Sequence, residues 1–267
     1  MQLFYRKYGE GAPIVALHGL YASSDSWMGL VGELSKQHQL ILVDLRNHGR
    51  SPHSPEHSYS LMSDDLLELF DKLVINQAIL MGHSMGGKAA MHFALNYPER
   101  TKGLIVEDIS PLGYSASNEN VIFHQKIINA LKLLQINSCT SRKEVEDSLF
   151  QKIPNMALCH FLLKNLRRNK NGELEWRINL SFIEKNLPLI MESIITENVL
   201  PIEVRSLFVK GSESTYVVEK DEEAIRLFFP YSSITTAQSA GHWIHNEQER
   251  DFMRYVKQYF SLLNSTD

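Results

Sequence analysis

Short apolar runs recur along the first 110 residues and again towards the C-terminus, and most of them stop at a glycine or a polar residue. Runs of this length that are rich in valine, isoleucine and leucine are typical of strands buried on both faces of a parallel sheet. An alternating stretch at the N-terminus predicts an edge strand. The predicted buried strands are residues 14–17, 40–43, 78–81, 104–106, 207–209 and 234–237, and the predicted edge strand is residues 3–8.

Amphipathic stretches lie between these runs and predict helices. Residues 63–65, with the sequence Ser-Asp-Asp, precede a leucine-rich stretch and are typical of a helix N-terminus. Residues 85–96 predict a helix of small residues that stops before Pro98, and residues 252–263 predict a last amphipathic helix. Strands that alternate with helices in this way predict an α/β fold with a mostly parallel, doubly wound sheet.

The alternation stops in the middle of the chain. Residues 112–199 have a mostly helical pattern, in which residues 169–172 predict a turn and residues 173–178 a short strand. We therefore expect two parts. These are a core made from residues 1–111 and 201–267, and an inserted helical lid, residues 112–200, over the carboxyl edge of the sheet.

The composition is that of an ordinary globular chain. Of the 267 residues, 43% are hydrophobic and 22% are charged, and the formal net charge is −4, which argues against disorder or a coiled coil. The basic cluster at residues 164–170 is followed by Glu173 and Glu175. It predicts a solvated helix end and turn, so we expect no nucleic-acid partner.

The cysteines and the N-terminus bear on location. Cys139 and Cys159 lack the spacing of a metal site, and two cysteines do not make a disulfide framework, so we expect reduced thiols and a cytoplasmic protein. The first ten residues contain no apolar segment of the kind that a signal peptide needs. No apolar run approaches the roughly 18 residues of a membrane span, and none is expected.

The sequence Gly-His-Ser-Met-Gly at residues 82–86 follows a predicted strand and precedes a predicted helix. This is the context of a G-x-S-x-G nucleophile turn, which lifts the hydroxyl of Ser84 above the sheet edge and uses its glycines for close packing. A phosphate-binding loop is the alternative, because residues 82–88 match G-x-x-x-x-G-K. Its last position, however, is Ala89 instead of Ser or Thr, and we expect Lys88 to be a surface or pocket-rim cation.

A second motif predicts a backbone amide that would bind negative charge together with an amide of the nucleophile turn. His18 and Gly19 end an early strand. In enzymes with such a nucleophile turn, the amide after the His-Gly turn and the amide after the serine form the oxyanion hole. These are the amides of Leu20 and Met85, while the ring of His18 is expected to pack under the turn.

A histidine near the C-terminus has the position of a general base. His242 follows the last predicted strand, and the chain order of nucleophile, acid and histidine is the one that accompanies G-x-S-x-G. His245, three residues further on, makes a metal-binding pair an alternative. No third ligand is close to this pair in the sequence, so we expect no metal.

Together these motifs carry a family resemblance. Residues 44–51, DLRNHGRS, resemble a turn common in the α/β-hydrolase superfamily, and GHSMGGKAAM, YPERTKGLIVEDISP and AGHWIHNE resemble the small bacterial serine esterases and acyl-CoA thioesterases of the YbfF type. The likeness extends over residues 1–111 and 201–267. It implies an α/β-hydrolase fold with a helical lid inserted after the sixth core strand. It also implies hydrolysis of short-chain esters and acyl-CoA thioesters.

The acid that should orient His242 is not at its common place. Ser214 occupies the superfamily's usual aspartate position, and a hydroxyl carries no charge. The carboxylates that could replace it are Asp108, Glu107, Glu213 and Glu219. Asp108 ends a core strand at the carboxyl edge, where the active sites of open α/β sheets gather, and the resemblance also implies an acid there. We predict Asp108, with Glu213 as the alternative and Glu107 pointing the other way.

These residues predict a serine hydrolase that forms an acyl-enzyme at Ser84, with His242 as general base and without a metal or organic cofactor. The expected partner is a small-molecule ester or acyl-CoA substrate. An acyltransferase, a C–C bond hydrolase, a cofactor-free haloperoxidase and a non-catalytic ligand-binding relative stay open, because one fold hosts several activities. The residues expected to contact the substrate are His18, Gly19, Tyr21, His83 and Trp243.

Overall fold

A computed structural model describes residues 1–264 of the chain. Its strands are β1 (Phe4–Tyr8), β2 (Ala12–Leu17), β3 (His38–Asp44), β4 (Ala78–His83), β5 (Thr101–Glu107), β6 (Leu166–Arg168), β7 (Leu174–Trp176), β8 (Ser206–Gly211) and β9 (Ser232–Ala237). Its α-helices are α1 (Met28–Leu34), α2 (Tyr59–Leu73), α3 (Met85–Asn96), α4 (Glu119–Lys132), α5 (Arg142–Lys152), α6 (Met156–Leu163), α7 (Leu180–Met191), α8 (Glu219–Phe228), α9 (Ile244–Glu247) and α10 (Glu249–Asn264). In this range no helix combines the length and the apolar character that crossing a membrane would require.

The described chain forms a seven-stranded sheet with the strand order β1-β3-β2-β4-β5-β8-β9. β1 runs antiparallel to β3, and the other neighbouring strands of this sheet are parallel. The predicted α/β fold with a mostly parallel sheet is therefore confirmed. The observed strands also take in polar residues beside the apolar runs, because backbone pairing continues past the last apolar side chain.

Each central strand contributes side chains to two separate apolar clusters, one on each face of the sheet. Val15 of β2 belongs to an apolar cluster with Phe93 of α3, whereas its neighbour Ile14 belongs to a cluster with Phe252 of α10. Successive side chains of a strand point to opposite faces, so a sheet covered by helices on both faces needs apolar residues at every position. This requirement is the physical reason for the unbroken apolar runs.

The chain between β5 and β8 lies outside the seven-stranded sheet. It forms α4 to α7 and a hairpin in which β6 pairs antiparallel with β7. The short strand predicted at residues 173–178 is therefore present as β7. Arg167 and Arg168, which were expected at a helix end, lie in β6 instead, because they pair across the hairpin with Glu175 and Leu174.

We propose that this inserted segment, residues 112–200, is a lid on a core formed by residues 1–111 and 201–267. The resemblance implies an insertion after the sixth core strand. In this sheet the insertion instead follows the fifth strand in chain order, because four strands precede β5. The two ends of the segment are joined to each other. The Tyr114 amide donates to the Met191 carbonyl at 2.8 Å, and the Ile194 amide donates to the Pro111 carbonyl at 3.0 Å.

Lys88 of α3 ties both ends of the proposed lid to the core. Its side chain is almost completely buried, and its Nζ donates to the carbonyls of Leu112 at 2.8 Å and Glu192 at 2.6 Å. The expectation of a surface or pocket-rim cation is therefore wrong, because the insertion folds over α3 and supplies both carbonyls. Burial lowers the pKa of Lys88 to about 7.

We expect Lys88→Met to lower the free energy of unfolding at pH 9 by about 1–3 kcal/mol, because two buried carbonyls lose their donor. The loss should be smaller at pH 6. Between pH 6 and pH 9 the folded state, in which the pKa of Lys88 is about 7, releases a proton that the unfolded state keeps. The free energy of unfolding of the wild type therefore rises from pH 6 to pH 9. Lys88→Met has no such group, so its free energy of unfolding does not gain this increase.

Urea unfolding of the wild type and Lys88→Met at the two pH values measures this difference. Lys126→Met, which changes an exposed lysine of the inserted segment, is the matched control. A larger loss at pH 6 than at pH 9 would contradict the sign derived above.

Candidate active site

Ser84 occupies the sharp turn between β4 and α3. Its backbone has φ 50° and ψ −119°, a conformation that residues with a side chain rarely adopt. A Cβ on Gly82 would overlap the carbonyl of Gly86, and a Cβ on Gly86 would overlap the carbonyl of Leu17. Glycine at both positions therefore lets the strained turn pack directly against β2.

His242 and Asp108 are joined by a hydrogen bond. His242 Nδ1 donates to Asp108 Oδ2 at 2.7 Å. The Gly211 amide donates to Asp108 Oδ1 at 3.0 Å, and the Ser214 hydroxyl donates to Oδ2. Asp108 itself has a positive φ of 49°, directly after β5. The residue that replaces the usual acid, Ser214, thus contacts the carboxylate that contacts His242.

Burial acts in opposite directions on the two members of this pair. It raises the pKa of Asp108, while the hydrogen bonds from Ser214 and Gly211 lower it. Burial lowers the pKa of His242, which favours the neutral imidazole. A neutral ring whose Nδ1–H is held by a carboxylate keeps the lone pair of Nε2 for accepting a proton.

A catalytic triad also needs a hydrogen bond between the serine hydroxyl and the histidine. Within residues 1–264 the Ser84 hydroxyl makes no hydrogen bond to His242. Such bonds are often long without substrate and shorten in the reacting complex. The position of the His242 ring is fixed by Tyr216, which stacks on it with a centroid distance of 3.8 Å, and by His83, whose Nε2 donates to the His242 carbonyl at 2.9 Å.

The two amides predicted for an oxyanion hole belong to residues that border one cavity with Ser84. Met85 is the first residue of α3, where a backbone amide has no partner inside the helix. The Leu20 amide, just after the His18–Gly19 turn, has no hydrogen-bond acceptor in the part of the chain that the structure describes. Both amides can therefore donate to a bound group.

The cavity beside Ser84 is small and nearly closed. Its volume is about 10 Å³, room for about one water molecule. Core and inserted segment both contribute to its walls, which are mostly apolar or aromatic. The lining residues are Leu20, Tyr59, Ser84, Met85, Ile109, Tyr114, His124, Ile190, Met191 and Tyr216.

Comparison with known proteins gives the family. The model of the alpha/beta hydrolase fold family matches residues 12–126. The chain is 37% identical to the sn-1-specific diacylglycerol lipase ABHD11 of Danio rerio, over 93% of this chain and 78% of that protein. It is 31% identical to esterase YbfF of Escherichia coli (strain K12), over 94% of each chain. A solved marine microorganism esterase is 42% identical and superimposes with a TM-score of 0.94, over 97% of this chain and 99% of that one.

This chain belongs to the α/β-hydrolase family.

The predicted resemblance to YbfF-type proteins is confirmed, and the chain is an enzyme of the hydrolase class. In this hydrolase, however, His18 does not contact the Ser84 cavity. Its ring is buried, Nδ1 donates to the Gly19 carbonyl at 2.8 Å, and Nε2 accepts the Leu45 amide at 3.0 Å. Because both nitrogens are occupied, His18 braces two turns, and contact of His18 with substrate stays a prediction.

Three more of the expected substrate contacts are absent from the described lining of the cavity. Gly19 packs on His83, since a Cβ at Gly19 would lie 2.5 Å from His83 Nδ1. His83 supports the backbone of His242, as described above. The Tyr21 hydroxyl donates to the His124 carbonyl at 3.3 Å and so braces α4. These residues are buried behind the cavity wall and support the site through contacts with neighbouring segments.

Trp243 lies on a separate surface groove of this hydrolase. The groove has a volume of about 380 Å³, and the Trp243 ring packs beside Phe161 of α6 at a centroid distance of 5.3 Å. Phe123 lines this groove and its neighbour His124 lines the Ser84 cavity, so α4 separates the two spaces. Contact of Trp243 with substrate stays a prediction.

The other carboxylates considered for the acid lie away from His242. Glu107 accepts a hydrogen bond from His245 Nδ1 at 2.7 Å on the opposite side of β5. Glu213 is exposed, and Glu219 begins α8. His242 and His245 each face their own carboxylate, and no group of three or more possible metal ligands occurs among the described residues.

Sequence reasoning missed Tyr216 and His124. Tyr216 follows β8 and His124 belongs to the inserted segment, and neither lies in a recognisable motif. Ser214 could have been assigned from the sequence. A hydroxyl at the usual acid position can donate to a carboxylate on the neighbouring strand, and β5 and β8 are neighbours in the sheet.

Proposed function

We propose that this hydrolase cleaves carboxylic esters through Ser84, His242 and Asp108. The observation that carries the proposal is the hydrogen bond from His242 to Asp108 beside a serine in a strained strand-to-helix turn. The names of the relatives, an esterase and a diacylglycerol lipase, support the same reaction class. The finer assignments below are part of the proposal.

The proposed reaction has two halves. His242 Nε2 accepts the Ser84 proton while Oγ attacks the acyl carbon, and the amides of Leu20 and Met85 stabilise the oxyanion. His242 then protonates the leaving alcohol or thiol. A water molecule, deprotonated by the same imidazole, releases the acyl group and restores Ser84, with Asp108 stabilising the imidazolium in both halves.

The proposed substrates are esters or acyl thioesters with short to medium acyl chains. The small apolar cavity supports the short end of this range, because a long chain would have to displace the side chains that line it. An acyl-CoA thioester would react by the same steps, since a thiolate leaves at least as readily as an alkoxide.

The test is a panel of p-nitrophenyl esters and acyl-CoAs of increasing chain length, combined with labelling by a fluorophosphonate probe. We expect turnover of the shortest esters and a covalent label on the peptide that contains Ser84. Turnover without labelling of Ser84, or no turnover of any ester or thioester, would refute the proposal. Adding an alcohol as acceptor detects an acyltransferase, because the acyl group would then appear in a new ester.

We expect Met191→Ala to raise the ratio of kcat/KM for butyrate to that for acetate by about tenfold, because the change opens one wall of the cavity. Met191 ends α7 and is largely buried. Leu189→Ala, on the same helix but 40% exposed, is the control and should leave the ratio as it is. An equal ratio in Met191→Ala and the wild type would show that this cavity does not take the acyl chain.

A further inference from the structure

A histidine of the inserted segment borders the same cavity as Ser84. His124 lies on α4, is 5% exposed, and lines the cavity together with Ser84 and Tyr216. Its Nε2 lies 2.9 Å from the Tyr216 hydroxyl, and the Tyr216 ring stacks on His242. His124 is therefore connected to the proposed general base through one side chain, although the reaction above gives it no role.

The hydrogen bond between Tyr216 and His124 has a preferred direction. The Tyr216 hydroxyl has one proton and no partner other than His124 within residues 1–264. If Nε2 carried the imidazole proton, the phenol proton would be buried without an acceptor, which is unfavourable. Tyr216 therefore donates to Nε2, and the neutral ring of His124 carries its proton on Nδ1. Burial lowers the pKa of His124 to about 3, which keeps the ring neutral.

His124 Nδ1 is a buried donor without a protein acceptor in the described chain. Buried polar groups are almost always hydrogen-bonded, and exceptions call for an explanation. The cavity is lined by aliphatic side chains and also by the hydroxyl-bearing residues Ser84, Tyr59 and Tyr114, but none of these hydroxyls is hydrogen-bonded to Nδ1. Because His124 borders this cavity, an oxygen atom of a bound substrate is the acceptor considered for this donor.

We propose that His124 is a substrate-binding residue that donates from Nδ1 to an acceptor oxygen next to the scissile ester. The proposal rests on the proposed esterase function. The ligand class is an ester with a second oxygen, an ether or a carbonyl, close to the scissile carbonyl. Examples are alkoxyacetates on the acyl side, and esters of 2-alkoxy alcohols or vicinal diesters on the alcohol side. An alkyl group of the same size would leave the donor unpaired, and a site built for a hydrogen bond discriminates against such an analogue.

The test compares esters of equal size with and without this oxygen. On the acyl side p-nitrophenyl methoxyacetate is paired with p-nitrophenyl butyrate, and on the alcohol side 2-methoxyethyl acetate is paired with butyl acetate. Each kcat/KM is divided by the rate of alkaline hydrolysis, which removes intrinsic reactivity. We expect the wild type to favour the oxygen-bearing ester of one pair by about 3- to 10-fold. Equal corrected values in both pairs overturn the proposal without the need for any variant.

Two variants of His124 test which ring nitrogen causes the preference for the oxygen-bearing ester. Glutamine places its terminal amide near the position of Nε2, and asparagine near that of Nδ1. We expect His124→Gln to lose the preference and His124→Asn to retain it. His53→Gln, which changes an exposed histidine whose Nε2 donates to the Arg177 carbonyl at 3.2 Å, should behave as the wild type. A preference that survives in His124→Gln, or that is lost equally in both His124 variants, overturns the assignment to Nδ1.

Failure of this inference differs from failure of the proposed function. If hydrolysis depends on Ser84 but both substrates of each pair react alike, the role of His124 is wrong and the esterase stands. If none of these esters is hydrolysed, both are wrong.

Discussion

Ser84→Ala is expected to fold as the wild type does and to lose about five to six orders of magnitude in kcat for a short ester. The variant removes the one oxygen that can bond to the acyl carbon in the proposed reaction. Its fold should survive, because alanine fits the same strained φ as serine and the glycines that allow the turn are unchanged. Residual activity would come from substrate binding and the oxyanion amides alone.

The measurement is kcat and kcat/KM on p-nitrophenyl acetate, together with thermal unfolding of each protein. Ser239→Ala is a matched control, since Ser239 is exposed and has a comparable positive φ of 53°. Both variants should unfold within a few degrees of the wild type, and the control should keep its activity. Turnover by Ser84→Ala near the wild-type rate would show that another group carries the reaction.

Asp108→Asn is expected to lower kcat by about four orders of magnitude on the same ester. The amide of asparagine can donate to His242 Nδ1, which would place the imidazole proton on Nε2. That tautomer has no lone pair at Nε2 for the Ser84 proton. The hydrogen bonds that the wild-type carboxylate accepts from Gly211 and Ser214 show that its position is determined from several sides, so the fold should persist.

Glu213→Gln is the comparison that decides between the two acids weighed from the sequence. Glu213 is exposed, and its removal should change kcat less than about twofold. The double variant Asp108→Asn with Ser214→Asp should regain part of the lost activity, because residue 214 contacts residue 108 and would again supply a carboxylate. If Glu213→Gln loses most of its kcat while Asp108→Asn keeps nearly the wild-type kcat, the acid lies in the loop after β8.

The sequence by itself determined the architecture of this protein. Its apolar runs are short, continuous and separated by amphipathic stretches, and strands covered on both faces leave this local pattern in any chain. The nucleophile turn is equally local, since residues 82–86 lie between a strand and a helix that are both visible in the sequence. The position of His242 after the last strand, and of Asp108 at the end of another, follows from the order of those strands.

Only the tertiary structure decided which side chains meet. Asp108 and His242 are 134 positions apart, and their contact depends on where β5 and β9 end across the sheet. Lys88 was expected at the surface, yet its acceptors come from positions 24 and 104 residues further along the chain. Whether a cation in a helix is exposed or buried depends on what covers it, and a local pattern does not contain that information.

The same reason explains the substrate contacts. Residues next to the motifs were expected to contact the substrate, but His18, Gly19, Tyr21 and His83 do not line the described cavity, and they contact neighbouring turns or α4. The cavity walls include residues of the inserted segment and of the loop after β8 besides residues of the core. A motif fixes backbone geometry over a few residues, whereas the direction in which its neighbours point is set by packing between distant segments.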